Sequence, residues 1–265
     1  MTGKRRGAAA LGLVCLLALL LAGVSTTAAA EGGRCNPAGF PVAVDIGHTP
    51  EAPGATSARG LPEYLFNAAL GRDVVAALSA AGFPALPIRV TGDGKQQLGR
   101  RVAVAKARKP ALLISLHHDS VQPRYLEEWS FAGHDLTYSD RFSGFSIFVS
   151  RANPHFAESL AFASGLGREL IAAGLHVSRH HAENIPGENR ETQDAAHGVF
   201  EFRNLRILKD VDAPAILFEA GLIVNRAEEL ELASPGRRQI ASQAILAAVK
   251  EACTRKGERL AFRAP

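Results

Sequence analysis

Beyond its first thirty residues, this 265-residue chain has no apolar run long enough to span a bilayer, no block of like charges, no internal repeat and no low-complexity tail. The first absence excludes a membrane-spanning body, and the others leave one folded module that must do its own recognition. A surplus of charge is missing as well. Lys and Arg number 30 against 26 Asp and Glu, but Lys4, Arg5 and Arg6 lie in an N-terminal segment that carries no acid, so the remainder is close to neutral. Nucleic acid is therefore excluded as a partner. The 25 Gly and 14 Pro, with 47% hydrophobic and 21% charged residues, exclude a disordered, collagen-like or coiled-coil chain.

What stands at the N-terminus is a basic Lys4-Arg5-Arg6, an apolar stretch from Leu11 to Val24 and the small residues Ala28-Ala29-Ala30 before Glu31. That order predicts a secretory signal peptide over residues 1–30, cleaved near Ala30, and one exported domain over 31–265, periplasmic or otherwise outside the cytoplasm, with no membrane attachment after cleavage. Cysteine is scarce, at three residues. Cys15 falls inside the signal core, so the exported domain keeps only Cys35 and Cys253, an even pair in an oxidising compartment, and a Cys35–Cys253 disulfide is expected.

Along the domain, short β-branched runs alternate with stretches of helical periodicity. Strands are expected at 41–46, 86–91, 111–116, 144–150 and 214–218, and helices at 62–81, 98–107, 154–173 and 237–253. Pro62 suits a first helical turn, and Gly82 and Gly174 suit helix ends. The alternation predicts a single α/β domain with a mostly parallel sheet and helices on both faces. Two polar stretches, 121–143 and 176–204, interrupt it as long loops of functional or mobile character.

In open α/β sheets the binding crevice lies beyond the carboxyl ends of the strands. His48, His117 and Glu219 each follow an expected strand, and Glu63 opens the helix that leaves the first one. Two imidazoles and two carboxylates on one rim make a zinc-hydrolase inventory: three ligands leave one tetrahedral position open, and the fourth residue is free to move a proton. Each has a plainer explanation when taken singly. An acid in a first helical turn is favoured by the helix dipole, and a strand-end carboxylate is commonly paired with an arginine.

The local words add a resemblance. Val42-Ala-Val-Asp45-Ile-Gly47-His48, Gly60-Leu-Pro-Glu63, Gly99-Arg-Arg101-Val-Ala-Val-Ala-Lys-Ala107, Leu112-Leu-Ile-Ser115-Leu-His117-His-Asp119 and Pro214-Ala-Ile-Leu-Phe-Glu219-Ala-Gly-Leu-Ile-Val-Asn225-Arg-Ala-Glu228 occur in that order. Together they resemble the zinc-dependent N-acetylmuramoyl-L-alanine amidases of the third amidase family. The resemblance implies a twisted sheet of about six strands, a Zn2+ ion held by His48, Glu63 and His117, and Glu219 as catalytic acid/base. It also implies peptidoglycan as substrate, cleaved between N-acetylmuramic acid and L-alanine in cell-wall remodelling or daughter-cell separation. Asp45 and Asp119 are the nearby candidates to accept from the ligands' other ring nitrogens.

Three departures accompany it. Thr49-Pro50 stands where the family has glycines, His117 is followed by a second histidine, and residues 176–204 do not align. Neighbouring strand residues face opposite sides, so His118 is expected to face the substrate or to support a ligand from behind rather than to bind the same ion. A glutamate of the unaligned segment, Glu188 or Glu191, is a candidate to block the metal until a protein activator moves it; a monomer is the expectation. The alternatives are an exported zinc amidase or peptidase for another substrate, and a catalytically idle peptidoglycan-binding module.

Overall fold

Alternation of inward-facing residues organises the sheet. In the computed structural model, which describes residues 35–92 and 96–263, the first strand β1 (Val42–Ile46) sends Val42, Val44 and Ile46 to one face and Ala43 to the other. Helix α1 (Glu63–Ala80) covers the first of these faces, followed by strand β2 (Ala85–Ile88), helix α2 (Gln96–Arg108) and strand β3 (Leu112–Asp119). An exposed hairpin, β4 (Glu127–Phe131) with β5 (His134–Tyr138), precedes strand β6 (Ser146–Val149) and helix α3 (Phe156–Ala172). Strands β7 (Thr192–Asp194) and β8 (Val199–Glu201), helix α4 (Arg206–Lys209), strand β9 (Ala215–Leu222), helix α5 (Glu228–Ala233) and helix α6 (Pro235–Arg263) complete the chain.

The main sheet has seven strands in the order β2-β1-β3-β9-β6-β8-β7. Only β6 against β9 and β7 against β8 are antiparallel, so the sheet is mostly parallel. The count exceeds the figure of about six that the resemblance implies, and the polar 176–204 segment supplies two of the seven, β7 and β8. That segment and 121–143 were expected as loops. Both carry strands instead, of three to five residues, too short to leave an apolar pattern, and all but the buried β8 are partly exposed.

One apolar layer joins Ile114, Leu116 and Phe218 of the sheet to Phe66, Leu70 and Val74 of α1, Phe162 and Leu166 of α3, and Ile245 and Val249 of α6. The opposite layer joins Leu113 and Leu217 to Val102 and Ala105 of α2 and to Ile207 and Leu208 of α4. Each such side chain taken fully from water contributes roughly 1.5–3 kcal/mol. Gly71 lets α1 lie close on β1, since a Cβ there would occupy the space of the Ile46 side chain. Cys35 and Cys253 are disulfide-bonded, tying the start of the described domain to α6. No helix of the described residues is long and apolar enough to cross a membrane. The expected signal peptide lies outside them.

Candidate active site

The carboxyl ends of β1 and β3 and the amino end of α1 meet at one rim. His48 follows β1 in a left-handed conformation (φ 63°), which turns its carbonyl toward α2. Arg101 of α2 meets it there. Its guanidinium donates to the carbonyls of Ile46 and His48 and, at 2.7 Å, to the carboxylate of Asp45, whose other oxygen accepts from the Ser115 hydroxyl at 2.7 Å. Arg101 and Asp45 are both buried. The local fold around His48 is thus set by an ion pair lying beneath the rim.

Glu63 is delivered by the loop between β1 and α1. Glu229 anchors that loop, accepting from the Ser57 hydroxyl at 2.7 Å and from Arg59 at 2.7 Å. The Glu63 backbone donates to the Ala55 carbonyl at 2.8 Å, and the Ala55 amide donates back to Glu63 Oε2 at 3.1 Å. One carboxylate then faces both imidazoles: His48 Nε2 lies 3.0 Å from Oε2 and His117 Nδ1 lies 3.0 Å from Oε1. Donor atoms of the three residues all fall within 4.8 Å of one another. Burial alone would push the Glu63 carboxyl upward, but hydrogen bonds from His117 and His48 and the charge of those rings hold it well below the usual carboxylate range.

Glycine makes this convergence possible. Gly54 (φ 83°) sits where a Cβ would overlap the Glu63 carboxylate and come within 2.7 Å of the His48 ring, and a Cβ on Gly47 would meet the His117 ring at 2.5 Å. Behind the cluster, Asn67 sits one helical turn after Glu63 and donates to its Oε1 at 3.0 Å and to the Gly47 carbonyl at 3.3 Å. Its amide oxygen accepts from His118 Nδ1 at 2.7 Å. Burial pushes His118 down to about 3, so the ring is neutral and works as a donor behind the ligand-type residues. Of the two expectations for His118, the supporting position is the one observed.

Glu219 completes the rim. It pairs with His117 across the parallel β3–β9 ladder, which puts both side chains on one face about 5 Å apart at the backbone. Its Oε2 is buried and has no hydrogen-bond partner. Burial pushes its carboxyl well above the usual range, and the negative charges of Asp119 and Glu63 add to the effect. A carboxyl raised above its usual range beside two imidazoles and a second carboxylate is suited to proton transfer.

All four residues named from sequence therefore converge, although His117 and Glu219 lie inside strands rather than just after them, because β3 and β9 run three and four residues past their expected ends. Two secondary expectations are corrected. Asp45 serves Arg101 and Ser115, and Asp119 bonds His181 and faces His180, so neither is the acceptor for a ring of the cluster. Glu188 binds His181 and Gln122, and Glu191 binds Arg151, so neither reaches the His48–Glu63–His117 group. Asn67 was missed, although its i+4 spacing from Glu63 places both on one helix face.

A model of the N-acetylmuramoyl-L-alanine amidase family matches residues 42–251, which takes in every element from β1 to most of α6. The chain belongs to that family. It is similar to the amidase AmiC of Neisseria meningitidis, 25% identical over 218 residues that cover 79% of this chain and 51% of the relative. It is also similar to an uncharacterized cell wall amidase of Bacillus anthracis, 26% identical over 168 residues that cover 63% of this chain and 26% of the relative. The chain thus spans about half the length of the first of these curated relatives and about a quarter of the second. Among solved structures, the fold is shared with Ami1 of Mycobacterium smegmatis (TM-score 0.64, 21% identity, 82% of this chain and 98% of that one). It is shared also with the catalytic domain of CwlV from Bacillus (Paenibacillus) polymyxa (TM-score 0.58, 23% identity, 80% and 97%).

Proposed function

We propose that this chain is an exported zinc hydrolase that cleaves the amide between the lactyl group of N-acetylmuramic acid and L-alanine in peptidoglycan. The observation that carries the reading is Glu219, whose raised carboxyl and unpartnered Oε2 stand beside the His48–Glu63–His117 group. Two imidazole nitrogens and a carboxylate oxygen are a donor set that suits zinc in a catalytic role, and the glycine-cleared space at Gly54 keeps them together. His48, Glu63 and His117 would hold the ion, which supplies Lewis acidity toward the scissile carbonyl and toward water.

The residues of the chain divide the remaining work. Glu219 takes a proton from the attacking water and returns it to the alanine nitrogen, which must be protonated to leave as an amine. The burial that raises its carboxyl above the usual range favours the second transfer. Asn67 and His118 keep Glu63 oriented from behind, and Arg101 fixes the backbone that carries His48. Export is supported by the leader pattern of residues 1–30 and by the Cys35–Cys253 disulfide, which suits an oxidising compartment. A protein activator remains part of the proposal; the CwlD amidase of Clostridioides difficile, a fold neighbour with TM-score 0.59, has been solved in complex with the GerS lipoprotein.

The test incubates zinc-loaded protein and its Glu219→Ala variant with purified peptidoglycan and identifies the soluble products by mass spectrometry. Peptides with a free L-alanine amino terminus are expected from the wild type alone, with zinc content unchanged in the variant. Release of glycan fragments or of peptides cut elsewhere, or equal turnover by both proteins, refutes the reading.

A further inference from the structure

Two residues beyond His117, at the end of β3, a second set of donors converges to which the proposed reaction assigns no work. Asp119 Oδ2 faces His181 Nε2 at 2.7 Å and His180 Nε2 at 3.3 Å, and donor atoms of the three residues lie within 4.8 Å of one another. Both histidines belong to the turn 180–182, their ring centroids are 3.8 Å apart, and His180 is only 2% exposed. Asp119 satisfies just one of them. His180 Nε2 is buried, aimed into the cluster and without a hydrogen-bond partner. An orphaned imidazole nitrogen in such a place is destabilising unless something else binds it.

The other nitrogen of each ring is already held. His180 Nδ1 pairs with the Ser178 hydroxyl at 2.8 Å, and His181 Nδ1 pairs with Glu188 Oε2 at 2.8 Å, while Gln122 fixes the second Glu188 oxygen at 2.7 Å. Both rings are thereby oriented with Nε2 inward, the arrangement in which histidines ligate metals with a carboxylate or hydroxyl behind them. Phe142 and Phe148 pack against the two imidazoles at 5.4 and 4.7 Å and limit the approach of water. Two imidazole nitrogens and one carboxylate oxygen are a donor set for a divalent ion of borderline softness.

We propose that Asp119, His180 and His181 form a second binding site for a divalent first-row transition ion such as zinc, separate from the His48–Glu63–His117 group. An ion there joins β3 to the 176–204 segment, so its binding energy also holds that segment against the rim. The site stands on its own geometry and does not depend on the proposed amidase chemistry.

The full chain, stripped with a chelator and reloaded with Zn2+, is freed of loose metal by gel filtration and its zinc counted by plasma mass spectrometry. The His180→Ala/His181→Ala double variant is expected to hold one ion fewer per chain than the wild type. A His48→Ala/His117→Ala variant is expected to retain one ion, to show ligand-field bands when loaded with Co2+ instead, and to resist protease cleavage between residues 178 and 190 only when metal is present. An unchanged zinc count in the folded His180/His181 variant overturns the proposal. So does the absence of zinc from the His48/His117 variant, which decides the matter if the first variant does not fold. Loss of the His48–Glu63–His117 ion alone bears on the proposed function and leaves this site intact.

Discussion

Replacing Arg101 with methionine removes the cation from a buried pair while keeping most of the side-chain volume. Arg101 is 2% and Asp45 1% exposed, and their charged atoms are 2.7 Å apart. After the substitution Asp45 keeps only the Ser115 hydroxyl, and the carbonyls of Ile46 and His48 lose their donor. Breaking a buried ion pair from one side costs about 3–5 kcal/mol, mostly because the remaining charge is stranded. At about 2–4 °C per kcal/mol for a domain of this size, the midpoint of thermal unfolding should fall by roughly 6–20 °C. Urea denaturation of the disulfide-intact protein at neutral pH measures the free energy directly. The adjoining Asp45→Asn substitution removes the stranded charge, so the double variant should cost less than the sum of the two single ones, with a coupling of at least about 1 kcal/mol. Because Arg101 also holds the carbonyl of the left-handed His48, zinc affinity of the single variant should fall together with stability. A single variant within about 1 kcal/mol of the wild type, or strict additivity in the cycle, refutes this account.

Glu219→Gln should abolish turnover, and in chelator-stripped protein it should raise stability near pH 7. The folded carboxyl sits above its unfolded value, so the native state binds the extra proton. The stability due to Glu219 is therefore full below the unfolded pKa and lost as pH rises through the folded one, and urea midpoints compared across pH should show the variant without that loss. Gly54→Ala should fold yet bind zinc at least tenfold more weakly in a chelator-competition titration, since its methyl group overlaps Glu63 and its φ of 83° is strained for alanine. Unchanged affinity would show that the Gly54 turn shifts freely. Cys35→Ser/Cys253→Ser opens a loop of 218 residues and should cost up to about 5 kcal/mol in urea denaturation. A loss below about 1 kcal/mol would mean that α6 holds the N-terminal segment without the bond.

The alternation of apolar runs was sufficient to locate β1, β3, β9 and the helices α1, α2, α3 and α6, because each buries one face or both in a layer that local pattern reports directly. The site residues were legible for a related reason. His48, Glu63, His117 and Glu219 lie after a strand, at a helix start and in the carboxyl halves of two strands, where chain direction in a parallel sheet already places them toward one edge. The hairpin β4–β5 and the strands β7 and β8 were not legible, since each runs only three to five residues, too short for a periodic pattern even in β8, where Val199 and Phe200 are buried in the core.

By itself, then, the amino-acid order determined the α/β class, the cysteine pair, the family resemblance and the four residues of the rim. The tertiary structure alone decided which partners those residues keep. Asp45 is next but two to His48 in sequence, yet strand alternation turns it down onto Arg101 and Ser115, 56 and 70 residues away. Asp119 is two residues from His117, yet the irregularity in β3 pairing and the returning 176–204 segment deliver it to His180 and His181. Proximity along the chain fixes where a side chain starts. Which way it points, and what meets it there, depend on strands and loops that arrive from elsewhere, and no local pattern carries that information.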